Sequence, residues 1–140
     1  MGRLKEDINV KDLVHRFFEG NDVERALIIA GKLENLAENI KNQGGISKHQ
    51  IRKYYHSLLE ITQEVKVSQK LEDKLIKVAL LKAYLSYDSK RSQNKINNRL
   101  FINFVNSLVS EILKRKDEKT LELAKTLFEA LVGYTANLKK

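Results

Sequence analysis

The chain has 140 residues, a formal net charge of +8 at pH 7, and no proline, cysteine or tryptophan. Lack of cysteine excludes a disulfide framework, a thiolate metal cluster and a thiol nucleophile. Absent proline and only six glycines leave little of the punctuation that sandwiches and barrels need, which favours long helices. The length suits a single domain over residues 1–140, large enough to bury a core of its own. Residues 1–20 carry charge every few positions, unlike a signal peptide. The longest strictly apolar run, Ala26 to Ala30, is far short of a membrane span. A soluble, cytoplasmic protein that does not engage a membrane is the expectation.

A short first helix is predicted from about Val10 to Glu19, with Leu13, Val14, Phe17 and Phe18 at 3–4 spacing. Gly20-Asn21 stops it, and Asn21 with Glu24 forms a capping-box pattern opening a second helix. That helix reaches about Asn42 and is expected to bury Val23, Ala26, Leu27, Ala30, Leu33, Ala37 and Ile40. Gly44-Gly45 then breaks the chain. The third helix has Ser47 as N-cap, Gln50 as its reciprocal partner, and Ile46 and Ile51 as a hydrophobic staple. Its apolar stripe is Ile51, Tyr54, Tyr55, Leu58, Leu59, Thr62 and Val65.

A fourth helix is predicted from near Ser68 to about Lys90. It is apolar on nearly every side from Leu75 to Leu85 except at Lys77 and Lys82, which predicts a central, mostly buried helix. Residues 88–99 are polar and basic, with Lys90, Arg91, Lys95 and Arg99 against Asp88, and read as a connection. The fifth helix, about 98–115, pairs Leu100-Phe101, Phe104-Val105, Leu108-Val109 and Ile112-Leu113. Asp117 caps a sixth, about 118–138, burying Leu121, Ala124, Leu127, Phe128, Leu131 and Val132. The expected fold is all-α, a single-domain bundle of about five long helices plus a short N-terminal helix.

The positive charge is concentrated. Residues 1–43 carry a net −1, residues 44–99 a net +7 and residues 100–140 a net +2. A basic surplus confined to one region is the footprint of a polyanion binder. On the third helix Lys48, His49, Arg52, Lys53 and His56 fall outside the apolar stripe, and no acid interrupts them before Glu60. Cations at one-turn spacing can meet successive phosphates without reading bases. Tyr54 and Tyr55 can stack on bases, but their spacing makes them core residues first. The basic connection offers a second strip of phosphate contacts.

Signatures of chemistry are scarce. His49 and His56 share a helix face with no third ligand adjacent in sequence, where zinc usually takes three or four. Gly44-Gly45 lacks the spacing and lysine of a phosphate loop. No metal or other cofactor is expected. Arg52 and His56, one residue closer than the Arg–His pair of the helical HEPN ribonucleases, form the one candidate for metal-independent RNA cleavage. A third reading is a helical adaptor, with the aromatic-rich stripe at 100–113 as its docking face.

Ser47-x-x-Gln50-Ile51-Arg52-Lys53-Tyr54-Tyr55 resembles the signature of the small helical subunit of type III-A (Csm-type) CRISPR effector complexes. Leu80 to Arg91 is similar to that family's second block, and Phe128 to Tyr134 to its closing helix motif. The three blocks run in matching order over residues 46–138. Asp88-Ser89 departs from the small residues and glycine usual in the second block. The resemblance implies a non-catalytic subunit in antiviral defence that lines guide RNA and target RNA by their backbones. Its implied partners are these RNAs, the other subunits of the Csm-type complex, and further copies of itself in a short filament or dimer. Carried over by position, Gln50, Arg52, Lys53 and Lys82, with either Lys90 or Arg91, become RNA contacts. Lys48 and Arg99 join them on charge alone.

Overall fold

The computed structural model describes residues 9–67 and 70–139. Among them are seven helices: α1 Val10–Glu19, α2 Asp22–Ala30, α3 Lys32–Gln43, α4 Lys48–Val67, α5 Leu71–Asp88, α6 Arg99–Arg115 and α7 Glu118–Tyr134. None of the described residues lies in a strand. The fold is an all-α bundle. Several helices begin where a polar side chain satisfies an orphan N–H of the first turn. Asn9 accepts from Asp12 N, Asn98 from Phe101 N and Asp117 from Thr120 N. Asn21 and Glu24 form the full reciprocal box.

The second predicted helix is two helices. At Gly31 the backbone takes φ −124° and ψ −80°, outside the helical region, and separates α2 from α3. Arg25 pins the upstream piece to the end of α1, donating from Nε and Nη2 to the carbonyls of Phe17 and Phe18. Tyr134 Oη donates to the Ile29 carbonyl at 2.8 Å. These contacts turn Ile28 and Ile29 toward the core. Val23, Ala26, Leu27 and Ala30, expected inside, are exposed. Leu33, Leu36, Ala37 and Ile40 of α3 are buried.

The central helix is α6, packed on α1, α3, α5 and α7. Its paired stripe, from Phe101 to Ile112, is interior, so the adaptor face proposed at 100–113 is core instead. Phe101, Phe104 and Phe128 meet edge-on at 5.4–6.0 Å between centroids, with Tyr54 and Tyr55 at the rim of the cluster. The predicted central role of the fourth helix is overturned. Among the described residues, only those of α4 and α6 cover α5 to any extent. Its buried side chains are Leu71, Val78, Leu81, Leu85 and Asp88, whereas Ile76 (73% exposed), Leu80, Tyr84 and Tyr87 (65%) face solvent. Composition made nearly the whole circumference apolar, but among the described residues the neighbours lie on one side. The expected start at Ser68 lies outside the described residues. No helix among the described residues is long and apolar enough to cross a membrane.

Candidate nucleic-acid interface

The start of α4 is built by Ser47 and Gln50. Ser47 N donates to Gln50 Oε1 at 2.8 Å, and Gln50 N to Ser47 Oγ at 3.1 Å. Ile46 and the fully buried Ile51 anchor the turn to the core. Outside that anchor, His49, Arg52, Lys53 and His56 are exposed and Lys48 is half-buried. Tyr54 is buried and Tyr55 half-buried against Phe128, as their spacing implied.

The basic connection, residues 89–98, is laced to this helix start. Gln50 Nε2 donates to the Asn94 carbonyl at 2.8 Å, and Asn97 N to the Gly45 carbonyl at 2.7 Å. Ile96 N donates to the Asp88 carbonyl at 2.9 Å, with the Ile96 side chain fully buried. Asn98, also fully buried, donates from Nδ2 to the carbonyls of Ile40 and Gly44. Asn94 takes a left-handed backbone within the connection, φ +53°. Gln50 is thus a tie between two segments, since both ends of its carboxamide are used within the protein. Sequence distance hid this, because its second partner lies 44 residues on.

Asp88 sits where the segments meet. Its Oδ2 accepts from Lys53 Nζ at 2.7 Å and from the Tyr54 hydroxyl, and Arg91 Nη1 lies 3.6 Å from Oδ1. Burial works to raise the Asp88 carboxyl. The bonds from Lys53 and Tyr54, with the charges of Lys53 and Arg91, outweigh it and hold the group below the ordinary aspartate range. Burial first, then the bond to Asp88, pushes the Tyr54 phenol far up. Arg91 turns inward, its Nη2 donating to the Asn94 carbonyl at 3.2 Å. Lys90, Lys95 and Arg99 are exposed.

Lys82 does not join this face. Six residues before Asp88 it projects about 120° away around the helix. Lys74 and Lys77 lie on the α4 side of the helix, as Asp88 does, and reach Glu64 of α4 at 3.1 and 3.5 Å. The Arg52–His56 pair is exposed on α4, and the neighbour His56 meets is the Tyr55 ring at 5.6 Å. Among the described residues no group of three His, Asp or Glu could hold a metal ion. A feature missed by periodicity is the exposed stripe Ile76, Leu80, Tyr84, Tyr87 along α5. The signal was present as a helix apolar all round, a pattern that fits an interface as well as an interior.

A model of the Csm2 Type III-A family matches residues 25–140, from within α2 to the last residue. The chain belongs to that family. As a Csm2 protein it is a small subunit of the type III-A CRISPR effector complex and associates with the other Csm subunits. The match takes in Arg25 to Gln43, so much of the acidic-leaning N-terminal part, which carried no recognisable motif, is family sequence too. No curated protein and no solved structure matches the chain.

Proposed function

We propose that this Csm2 subunit holds guide and target RNA by the backbone, without reading sequence, and performs no chemistry of its own. The observation that carries this is the lacing of residues 89–98 onto residues 45–50. It sets the exposed Lys90, Lys95 and Arg99 beside the helix start bearing Lys48, Arg52 and Lys53. Asp88, the single acid between residues 74 and 110, is withdrawn below that surface. In an RNA-guided complex base pairing reads sequence, so a protein subunit needs to recognise backbone shape and charge alone. Arg52, Lys90, Lys95 and Arg99 make the outer phosphate contacts, Gln50 ties the segments together, and Lys82 stands apart.

Arg52→Ala and Lys90→Ala should each weaken binding equally for unrelated RNAs. Each should also flatten the salt dependence by about one phosphate contact. Unchanged affinity and salt slope would remove the site from this face. RNA cleavage by the native chain that His56→Ala abolishes would establish the ribonuclease reading instead. The exposed α5 stripe supports a docking role beside RNA binding, to a neighbouring copy in a filament or dimer or to another subunit. Leu80→Glu with Tyr84→Glu should leave thermal unfolding nearly unchanged and abolish either co-purification with other Csm subunits or self-association in sedimentation. Retention of both would refute that use of the stripe.

A further inference from the structure

Asp88 is an unexpected residue at the centre of a phosphate-binding face. A carboxylate there repels the ligand, and burying it is costly unless it is paired. A neutral acceptor would satisfy the Tyr54 hydroxyl equally well. What the carboxylate adds is a shared anchor for two cations from separate segments, Lys53 of α4 and Arg91 of the connection. Lys53 is further confined by lying 5.1 Å over the Tyr54 ring, and Arg91 by its bond to the Asn94 carbonyl. The Asp88 main chain joins the same device, since its carbonyl takes the Ile96 N–H and so fixes the far side of the connection. Both cations keep a solvent face, with side chains 51% and 32% exposed. A free lysine or arginine must be immobilised when it grips a phosphate, and that ordering opposes binding.

Resting on the RNA-binding reading above, we infer that Asp88 is a positioning residue. It holds Lys53 and Arg91 as a preorganised pair for one stretch of RNA backbone, without touching RNA itself. Charge and positioning make opposite forecasts for Asp88→Asn. The variant loses one negative charge, so charge alone tightens binding. Loss of the anchor frees both side chains and loosens it.

The test is fluorescence anisotropy with unrelated RNA oligonucleotides over a salt series, alongside thermal unfolding. Asp88→Asn should bind about fivefold or more weakly, with the salt slope retained because no cation has been removed. In a Lys53→Ala/Arg91→Ala background the same change should no longer weaken binding, and should leave it equal or tighter. A general structural role for Asp88 would not produce that reversal. Equal or tighter binding by folded Asp88→Asn in the otherwise native chain overturns the proposal. Should that variant fail to fold, the cycle of Lys53→Ala and Arg91→Ala decides with Asp88 in place. Coupled losses support the shared anchor and additive losses overturn it. Arg52→Ala, which does not touch Asp88, separates the two levels. If it weakens binding while Asp88→Asn does not, positioning alone is wrong; if it has no effect, the RNA face itself is wrong.

Discussion

Replacing Asn98 by alanine probes the joint on which the candidate interface rests. Asn98 is fully buried, and its side chain serves two helices. Oδ1 caps α6 by accepting from Phe101 N at 2.9 Å. Nδ2 donates to the carbonyls of Ile40 and Gly44 at 2.8 and 2.7 Å, closing the end of α3. Loss of the cap costs about 1 kcal/mol. The Gly44 carbonyl is left without that donor at a further cost of about 1–2 kcal/mol. The Ile40 carbonyl suffers less, since it keeps the Gly44 N–H at 3.2 Å. Asn98→Ala should therefore destabilise the fold by about 2–3 kcal/mol. With an unfolding entropy of about 2.1 cal/mol/K per residue, that lowers Tm by roughly 7–10 °C. Asn98→Ser keeps a capping oxygen without the amide donors and should recover about 1 kcal/mol. Asn98→Asp keeps the cap but sets an anionic oxygen against two carbonyls, and should recover less. Urea and thermal unfolding of the three variants give the answer. A loss below about 1 kcal/mol for alanine, or serine equal to the native residue, would refute the two-helix role.

Two further outcomes follow from the same structure. Asp88, Glu111 and Asp117 all titrate below their ordinary values in the folded chain. For Glu111, burial works upward, and the bonds from His15 and Arg115 with the charges of Arg115 and Lys114 prevail. For Asp117 the side-chain and backbone bonds from Thr120 dominate. Groups with lowered pKa make the unfolded chain the stronger proton binder in acid. Their stabilisation is complete above about pH 5 and is lost as pH falls through 4 and below. The urea midpoint should fall across that window, less steeply in Asp88→Asn, and a midpoint constant down to pH 3 would contradict the assignment. Two glycines should respond in opposite directions. Gly133 lies on the open side of α7, with nothing within 4 Å of an added Cβ, so Gly133→Ala should stabilise by up to about 1 kcal/mol. Gly45 has φ +72°, and an added Cβ would lie 2.2 Å from the Asn97 oxygen. Gly45→Ala should cost more than about 1 kcal/mol and weaken RNA binding through the connection; equal stability of the two variants would argue against this geometry.

Local chemistry was legible in the sequence wherever the partners are a few residues apart. Asn21 with Glu24, Ser47 with Gln50, and Asp117 with Thr120 close their caps over three residues. Those three starts and the stop at Gly20 could therefore be placed from the chain alone. The break at Gly31 could not, because residues 22–42 keep a plausible helical stripe and the bend is held by Arg25 and Tyr134 reaching other helices. The burial of α5 is not legible for a related reason: apolar composition shows what a helix can bury, while the helices beside it decide which sides are covered.

By itself the sequence determined an all-helical chain, the capped starts of its helices, a +7 segment from 44 to 99 and three motif blocks resembling one family. These are properties of composition and short-range spacing. Only the tertiary structure decided that the connection lies along the start of α4 and that Arg91 turns inward while Lys90 does not. It alone placed Asp88 beneath two cations and left the α5 stripe uncovered. The seating of the connection and the pairing of Asp88 with α4 depend on contacts between residues 35 to 58 positions apart. Such contacts form when the whole bundle packs, so no local pattern in the chain encodes them.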